Sequence, residues 1–456
     1  MSKISLLLLL LSLFGFTKLQ AQSQEPDSIV EKEIKEIYKK HYQLKTHSYK
    51  LLNDLRKIKN RILKTKSNLR FRVLDDLYYG NMAVGNKDSV EYYANEINKL
   101  YGYSGKKLKI NHTLDKTLYQ SENAVETILK EADKQQAIFI NEAHDIFEHR
   151  LLTYELLVKL RQKGYKYLAV EMFINQDSLM NVRLYPIKHT YPYANEPFYN
   201  NLVRRAKELG YTLVAYEEDE GDPDSSFVNY KNVVIDNPQK QRDWTQAARL
   251  KERILKKDKN AKILVHAGYS HIYEKPTKHF VAMAHYFNLI TGINPLTIDQ
   301  ASQHQIDKVD YQQVTDKFIL KSDTITRFFL LRDKKTKEVW KPNEVKDQVD
   351  LFVFHTQKVP EYRRTFSNQP FVFGGHKFKK SDKVTLGETA VYPWLFEVTY
   401  LNEPRDATAT YQIEIRNKKE LEKIRVFYTK NAISKYGFVT QEGGYYYSFS
   451  NPTIKD

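Results

Sequence analysis

Glu142 and His144 stand two residues apart, where the apolar run Ala137 to Ile140 gives way to polar residues. A carboxylate and an imidazole that close can activate water together, or can bind one cation together. On extended backbone a spacing of two turns both side chains the same way. His149 and Arg150 follow at once, leading into LLTYELLVKLRQKG, which has helical spacing.

Other apolar runs stop at similar residues. KYLAVE ends at Glu171, TLVAYE at Glu217 and DLFVFH at His355, while KILVHAG carries His266. His266 reads either as a site residue or as a hydrogen-bonded core histidine. His271 follows in AGYSH after a turn and is the stronger candidate for catalysis. Gly268-x-Ser270 is half of a nucleophile elbow, but Ile272 fills the place of the second Gly, so Ser270 is not read as a nucleophile. Arg242-Asp243 opens a helical stretch. The helix dipole accounts for the Asp, whereas the Arg offers positive charge to a developing oxyanion, as Arg150 also would.

These residues need elements to bring them together. Apolar runs at 137–142, 166–171, 212–217, 262–268, 295–300 and 350–355 read as strands. Helical stretches at 121–133, 146–163, 198–209, 242–257 and near 278–290 separate most of them. The alternation predicts an α/β fold, a three-layer arrangement of a mostly parallel sheet with helices on both faces. Parallel strands align their carboxyl ends along one edge, where Glu142, Glu171, Glu217, His266 and His355 would converge.

Around this core, 121–360, lie two further regions. Residues 22–120 have amphipathic helical spacing, with a break at Gly80 to Gly85, and 361–456 carry Val- and Tyr-rich runs between Pro and Gly turns, a β-rich extension. Residues 1–21 combine Lys3, an apolar run from Ile4 to Phe16 and a small residue, Ala21. That pattern is a cleaved secretory signal peptide, so the protein is expected to be exported, periplasmic or secreted. No later run approaches the roughly 20 apolar residues of a spanning helix, and no transmembrane anchor is expected.

Of the 456 residues, 41% are hydrophobic and 28% charged, a globular composition. There is no cysteine, which excludes disulfides, thiolate zinc sites and the acylated cysteine of a lipoprotein. The formal charge is +16, and residues 29–66 hold twelve Lys or Arg against four acids. Export and the lack of an aromatic-interleaved basic motif argue against nucleic acid. The excess reads as a solvated lysine-rich helical face or as attraction to an anionic envelope surface.

The strand ending in Glu142-x-His144 with His149-Arg150 after it, the strand ending in Glu171, the Arg242-Asp243 helix and the strand with His266 and His271 resemble the erythromycin esterase-like superfamily. That superfamily includes Tiki-type metalloproteases and haem-binding, iron-regulated lipoproteins. The resemblance covers about 135–360. The leader, with Gln22 after Ala21, is similar to those of exported Bacteroidota proteins. By position, the resemblance implies that Glu142 and His144 activate water or bind metal, that Glu171 and His271 complete the pocket, and that Arg242 and His266 support them. One departure is Asn141, where the family usually has Gly.

The expectation is an exported hydrolase that cleaves an ester or amide of a small-molecule or peptide substrate. His144 or His271 would be the base, oriented by Glu142 or Glu171. A divalent cation, Mn, Co or Zn, held by Glu142, His144, Glu171 and His271 is the mechanistic variant the resemblance implies. The alternatives are an envelope protein binding haem or iron, and an interaction protein with a vestigial pocket.

Overall fold

In the computed structural model the described residues are 26–44, 47–101, 115, 117–171, 179–188, 196–217, 235, 237–277, 280–302, 328–355, 380–383, 392–400, 403–404, 406–422, 425–428, 434–441 and 445–448. Residues 1–21, where a signal peptide is expected, lie outside them. The chain divides into two compact units. One holds the N-terminal helices α1 (Asp27–Leu44), α2 (Ser48–Ile62), α3 (Leu69–Ala83) and α4 (Lys87–Tyr101). Their amphipathic spacing buries Val30, Ile34, Leu52, Leu55, Ile58, Leu74 and Leu77. Helix α3 runs through Gly80, and the turn comes only at 84–86. None of the described helices is long and apolar enough to cross a membrane.

The other unit contains the α/β core. Strands β2 (Ala137–Glu142), β3 (Tyr165–Val170), β4 (Thr212–Val214), β5 (Lys262–Gly268), β6 (Leu296–Asp299) and β8 (Leu351–Phe352) form a six-stranded sheet in the order β4-β3-β5-β2-β6-β8. Every adjacent pair is parallel. β2 is buried along its whole length, as a parallel strand covered on both faces must be. The helices around the sheet are α5 (Ala124–Glu131), α6 (His149–Gln162), α7 (Pro197–Glu208), α8 (Pro238–Leu250) and α9 (Met283–Thr291). Gly164, Gly210 and Gly292, all at positive φ, end the segments after α6, α7 and α9.

Three elements differ from the sequence reading, each for a local reason. Residues 119–123 form a strand, β1 (Tyr119–Asn123), antiparallel to β7 (Phe328–Asp333), because the Asn123 side chain accepts from Glu126 N–H and starts the helix only at Ala124. α8 begins at Pro238, four residues earlier than expected, because Asn237 caps it and Pro238 fits its first turn; a π-helical turn, Lys251–Leu255, extends it. DLFVFH is not one strand. Leu351–Phe352 pairs with β6, while β9 (Phe354–His355) pairs with β7 in a separate three-stranded sheet.

The C-terminal portion is antiparallel, with β11 (Trp394–Tyr400), β12 (Tyr411–Ile415), β14 (Ser434–Val439) and β15 (Tyr445–Ser448) in one sheet; β10 (Lys380–Lys383) pairs with β13 (Arg425–Tyr428) in another. A short helix, α10 (Lys418–Leu421), follows β12. This portion docks on α7 and on the segment 179–188 through buried charge pairs. Arg204 donates to both Glu403 oxygens (2.7 and 2.8 Å), and Lys188 pairs with Glu397 (3.2 Å).

Candidate active site

The register of the three central strands sets the site. Glu142 is level with Gly268, and His266 is level with both Ile140 and Val170, the residue before Glu171. Parallel pairing therefore brings residues about a hundred positions apart to one carboxyl edge. Arg242 and Asp243 reach the same edge from the first turns of α8, and Glu217 from just beyond β4.

Glu142 is a buried hub. Oε2 accepts from Arg150 Nε (2.7 Å) and His266 Nε2 (2.8 Å), and Oε1 from Arg150 Nη2 (2.8 Å) and His144 Nδ1 (2.9 Å). Burial pushes its carboxyl up, but Arg150, His266 and His144 outweigh that and hold it well below the ordinary value. It is a fixed anion that sets the orientation of His144. Arg150 Nη1 in turn donates to Glu196 (2.6 Å), whose carboxylate also caps α7 through Phe198 and Tyr199 N–H. His266 is 1% exposed, and its Nδ1 lies 2.8 Å from the Thr153 hydroxyl. It orients Glu142 from inside the core rather than facing a substrate.

Glu171 is the second hub. Its Oε2 accepts from Gly268 N–H, and its Oε1 from Arg242 Nη2 (2.6 Å). His144 Nε2 and His271 Nε2 each lie 3.8 Å from that same Oε1. Burial opposes the Glu171 charge, yet His271, His144, Arg242 and the Gly268 N–H lower its pKa. His271 is held by Asp243: Nδ1–H donates to Oδ1 at 2.6 Å, and the Asp accepts further bonds from Met283 N–H and Gln239. Its Nε2 faces Arg242 Nη1 at 3.1 Å; the guanidinium can only donate, so Nε2 accepts there and carries its lone pair. Burial disfavours a charged ring at both histidines, but Glu171 with Asp243 raises the pKa of His271, and Glu171 with Glu142 raises that of His144.

Arg242 ties these parts together. It also donates to both Glu217 oxygens (3.2 and 2.7 Å), and Gln246 fixes Glu217 from behind (2.8 Å). With its side chain 35% exposed, Arg242 is the most accessible of the charged groups here.

All six expected site residues, Glu142, His144, Glu171, Arg242, His266 and His271, thus come together. Arg150 does not serve as an oxyanion donor, because it is 1% exposed and its guanidinium is spent on Glu142 and Glu196. His355 does not join the cluster: its Nε2 lies 2.7 Å from Gln300 Oε1, and its ring stands edge-on to His149. Asp243, which the helix dipole alone explained from sequence, proves to be the partner of His271. The signal was an Asp beside a candidate Arg in a first helical turn; nothing in the sequence pointed to Thr153 or Glu196. Asn141 spends its full side-chain capacity on structure. Nδ2 donates to Tyr269 O (2.8 Å) and Asp299 Oδ1 (2.9 Å), and Oδ1 accepts from Gln300 and Ala301 N–H (2.8 and 3.1 Å).

The donors that the resemblance implies for a divalent cation are engaged with protein groups in this arrangement. Both Glu142 oxygens and both Glu171 oxygens accept from cationic or N–H donors, and Arg242 stands beside His271 Nε2. A cation bridging Glu171 and His271 would need the place of the Arg242 guanidinium, so the residues as arranged do not fit one. Among the described residues, no group of three or more His, Asp or Glu is arranged to hold a metal.

Comparison with protein-family models, with curated proteins and with solved structures returns no match.

Proposed function

We propose that the chain is a hydrolase of the erythromycin esterase-like type, acting outside the cytoplasm and cleaving an ester or amide with water activated by imidazole. One observation carries this reading. Two imidazole–carboxylate pairs, His144–Glu142 and His271–Asp243, face one carboxylate, Glu171, with the Arg242 guanidinium alongside.

In this reading His271 is the base, because Nδ1–H is committed to Asp243 and Nε2 keeps its lone pair. A water replaces the Arg242 contact at Nε2, gives that atom a proton and attacks the carbonyl carbon. Arg242, held by Glu217 and Glu171, turns N–H donors toward the oxyanion as it forms. The tetrahedral intermediate then expels its alcohol or amine, which takes a proton from His144 Nε2–H. Glu142, fixed as an anion, favours the protonated His144 ring that this step needs. A proton passing from His271 to His144 through Glu171 or solvent restores the resting state. No covalent intermediate is required.

The test uses residues 22–456, purified beside Glu142→Gln and His271→Asn variants. Each is assayed against macrolide and simple alkyl esters, and the wild type is analysed for metal and for a Soret band. Turnover that falls about 10²-fold or more in both variants, in protein without metal, supports the proposal. Stoichiometric Mn, Co or Zn, lost on Glu171→Ala, would replace it with the cation variant and a displaced Arg242. Iron with a Soret band would favour haem binding, and inactive, metal-free protein a vestigial pocket.

A further inference from the structure

Tyr269 follows β5 directly, between Gly268 and Ser270 and two positions before His271, and its φ is 43°. Among the described residues only Lys337 shares positive φ without being glycine. An aromatic residue is uncommon in the left-handed region, and such conformations persist only where the surroundings impose them. Here the constraint is visible: Asn141, fully buried, donates from Nδ2 to the Tyr269 carbonyl at 2.8 Å, and that Asn is itself fixed by Asp299, Gln300 and Ala301. The conformation places the Tyr269 ring beside His144 of the site. It stands edge-on to His144, with centroids 5.0 Å apart and planes at 85°, while the residue is 41% exposed. A large aromatic group left accessible beside a buried charge cluster offers apolar area to a group bound there.

We propose that Tyr269, held by Asn141, is the substrate-contacting residue that selects an ester whose alcohol carries a planar apolar group. The choice of the alcohol side rests on the hydrolase reading, in which His144 protonates the leaving oxygen; the ring beside His144 then meets the leaving group. A substrate ring packs on Tyr269 in the offset or edge-on geometry that aromatic pairs adopt, for a preference of roughly three- to tenfold.

The experiment compares hydrolysis of benzyl acetate and n-butyl acetate in a pH-stat by the full chain and by Tyr269→Phe and Tyr269→Asn. Asn tolerates the left-handed backbone, so the second variant removes the ring without adding strain. Wild type and Tyr269→Phe should favour benzyl acetate in kcat/KM by roughly three- to tenfold, and Tyr269→Asn should bring the ratio near one. A second arm needs no turnover: benzyl alcohol is titrated against the His144 ring signals by NMR. Shifts in wild type and Tyr269→Phe but not in Tyr269→Asn support ring recognition even if neither ester is cleaved, in which case the hydrolase reading alone fails. Ester hydrolysis without benzyl preference overturns the proposal and leaves the hydrolase reading in place. Equal response of Tyr269→Asn and wild type in both arms overturns it as well.

Discussion

The backbone of Gly268 lies against the imidazole of His144: a Cβ on Gly268 would come 2.5 Å from both Cε1 and Nε2 of the ring, and 2.8 Å from Glu171 Oε2. Gly268 has an ordinary extended backbone, so Ala there meets no conformational penalty, only the collision. Gly268→Ala must displace the ring that faces Glu171. A displacement near 1 Å can cost about 10²-fold in rate, and turnover is expected to fall by that order while circular dichroism stays native. Unchanged turnover would show that His144 does not need its position against β5.

Glu171 and Asp243 together raise the pH range in which His271 is a base. The raised pKa of His271 places the acid limb of kcat/KM above its ordinary value of 6.5, since the ring must be neutral to accept a proton. Asp243→Asn removes the charge, so the limb should move to lower pH as kcat falls. The folded-state pKa is raised, so the stability it contributes is full below 6.5 and lost as pH rises through the folded value. The stability gap between wild type and Asp243→Asn should therefore narrow in urea titrations as pH rises from 6.5 through the raised folded value. An acid limb that stays put would separate Asp243 from the chemistry.

Arg150 and Glu142 form a buried pair in which neither charge has water to fall back on. Arg150→Leu takes the buried cation from both Glu142 and Glu196 and should destabilise the protein by about 3–5 kcal/mol. Adding Glu142→Leu should recover part of that loss, which a double-mutant cycle in urea would register. Full additivity of the two changes would mean that the pair is not coupled.

Away from the site, Glu274 accepts from the Thr297 hydroxyl (2.6 Å), and Asp350, bonded to Thr297 N–H (3.0 Å), lies beside it. Burial, with the Asp350 carboxylate adding to it, pushes the Glu274 carboxyl up to about 7. A raised carboxyl pKa means that the folded state binds the proton more tightly, so stability declines as pH rises from about 4.5 toward about 7. Gln mimics the protonated form. Glu274→Gln should match wild type near pH 4 and exceed it in thermal midpoint at pH 8; equal midpoints at pH 8 would refute the assignment.

The sequence made the sheet and most of the cluster legible because both rest on local signals. Continuous apolar runs mark strands buried on both faces, and parallel pairing then carries Glu142, Glu171 and His266 to one edge without any knowledge of loops. What escaped depends on partners far along the chain. Asp243 looks like any acid in a first helical turn until His271 arrives opposite it. Arg150 looked available because nothing in its own segment shows that Glu196, 46 positions away, would take its other nitrogen. The division of DLFVFH between two sheets also follows from which neighbours reach it, β6 on one side and β7 on the other.

The strand order β3-β5-β2 has a consequence for how the molecule comes into being. β2 and β3, bearing Glu142 and Glu171, are made early and are not neighbours; β5 must enter between them after β4 is already in place. Each pairing it forms joins residues far apart in the chain, the slow kind of contact in folding. Until β5 arrives, two apolar strand edges lie open to one another or to a second chain, and the acids at their ends lack His266, Gly268 and His271. A chain truncated before Lys262 should therefore be prone to aggregation, the two halves of the site's edge never having met.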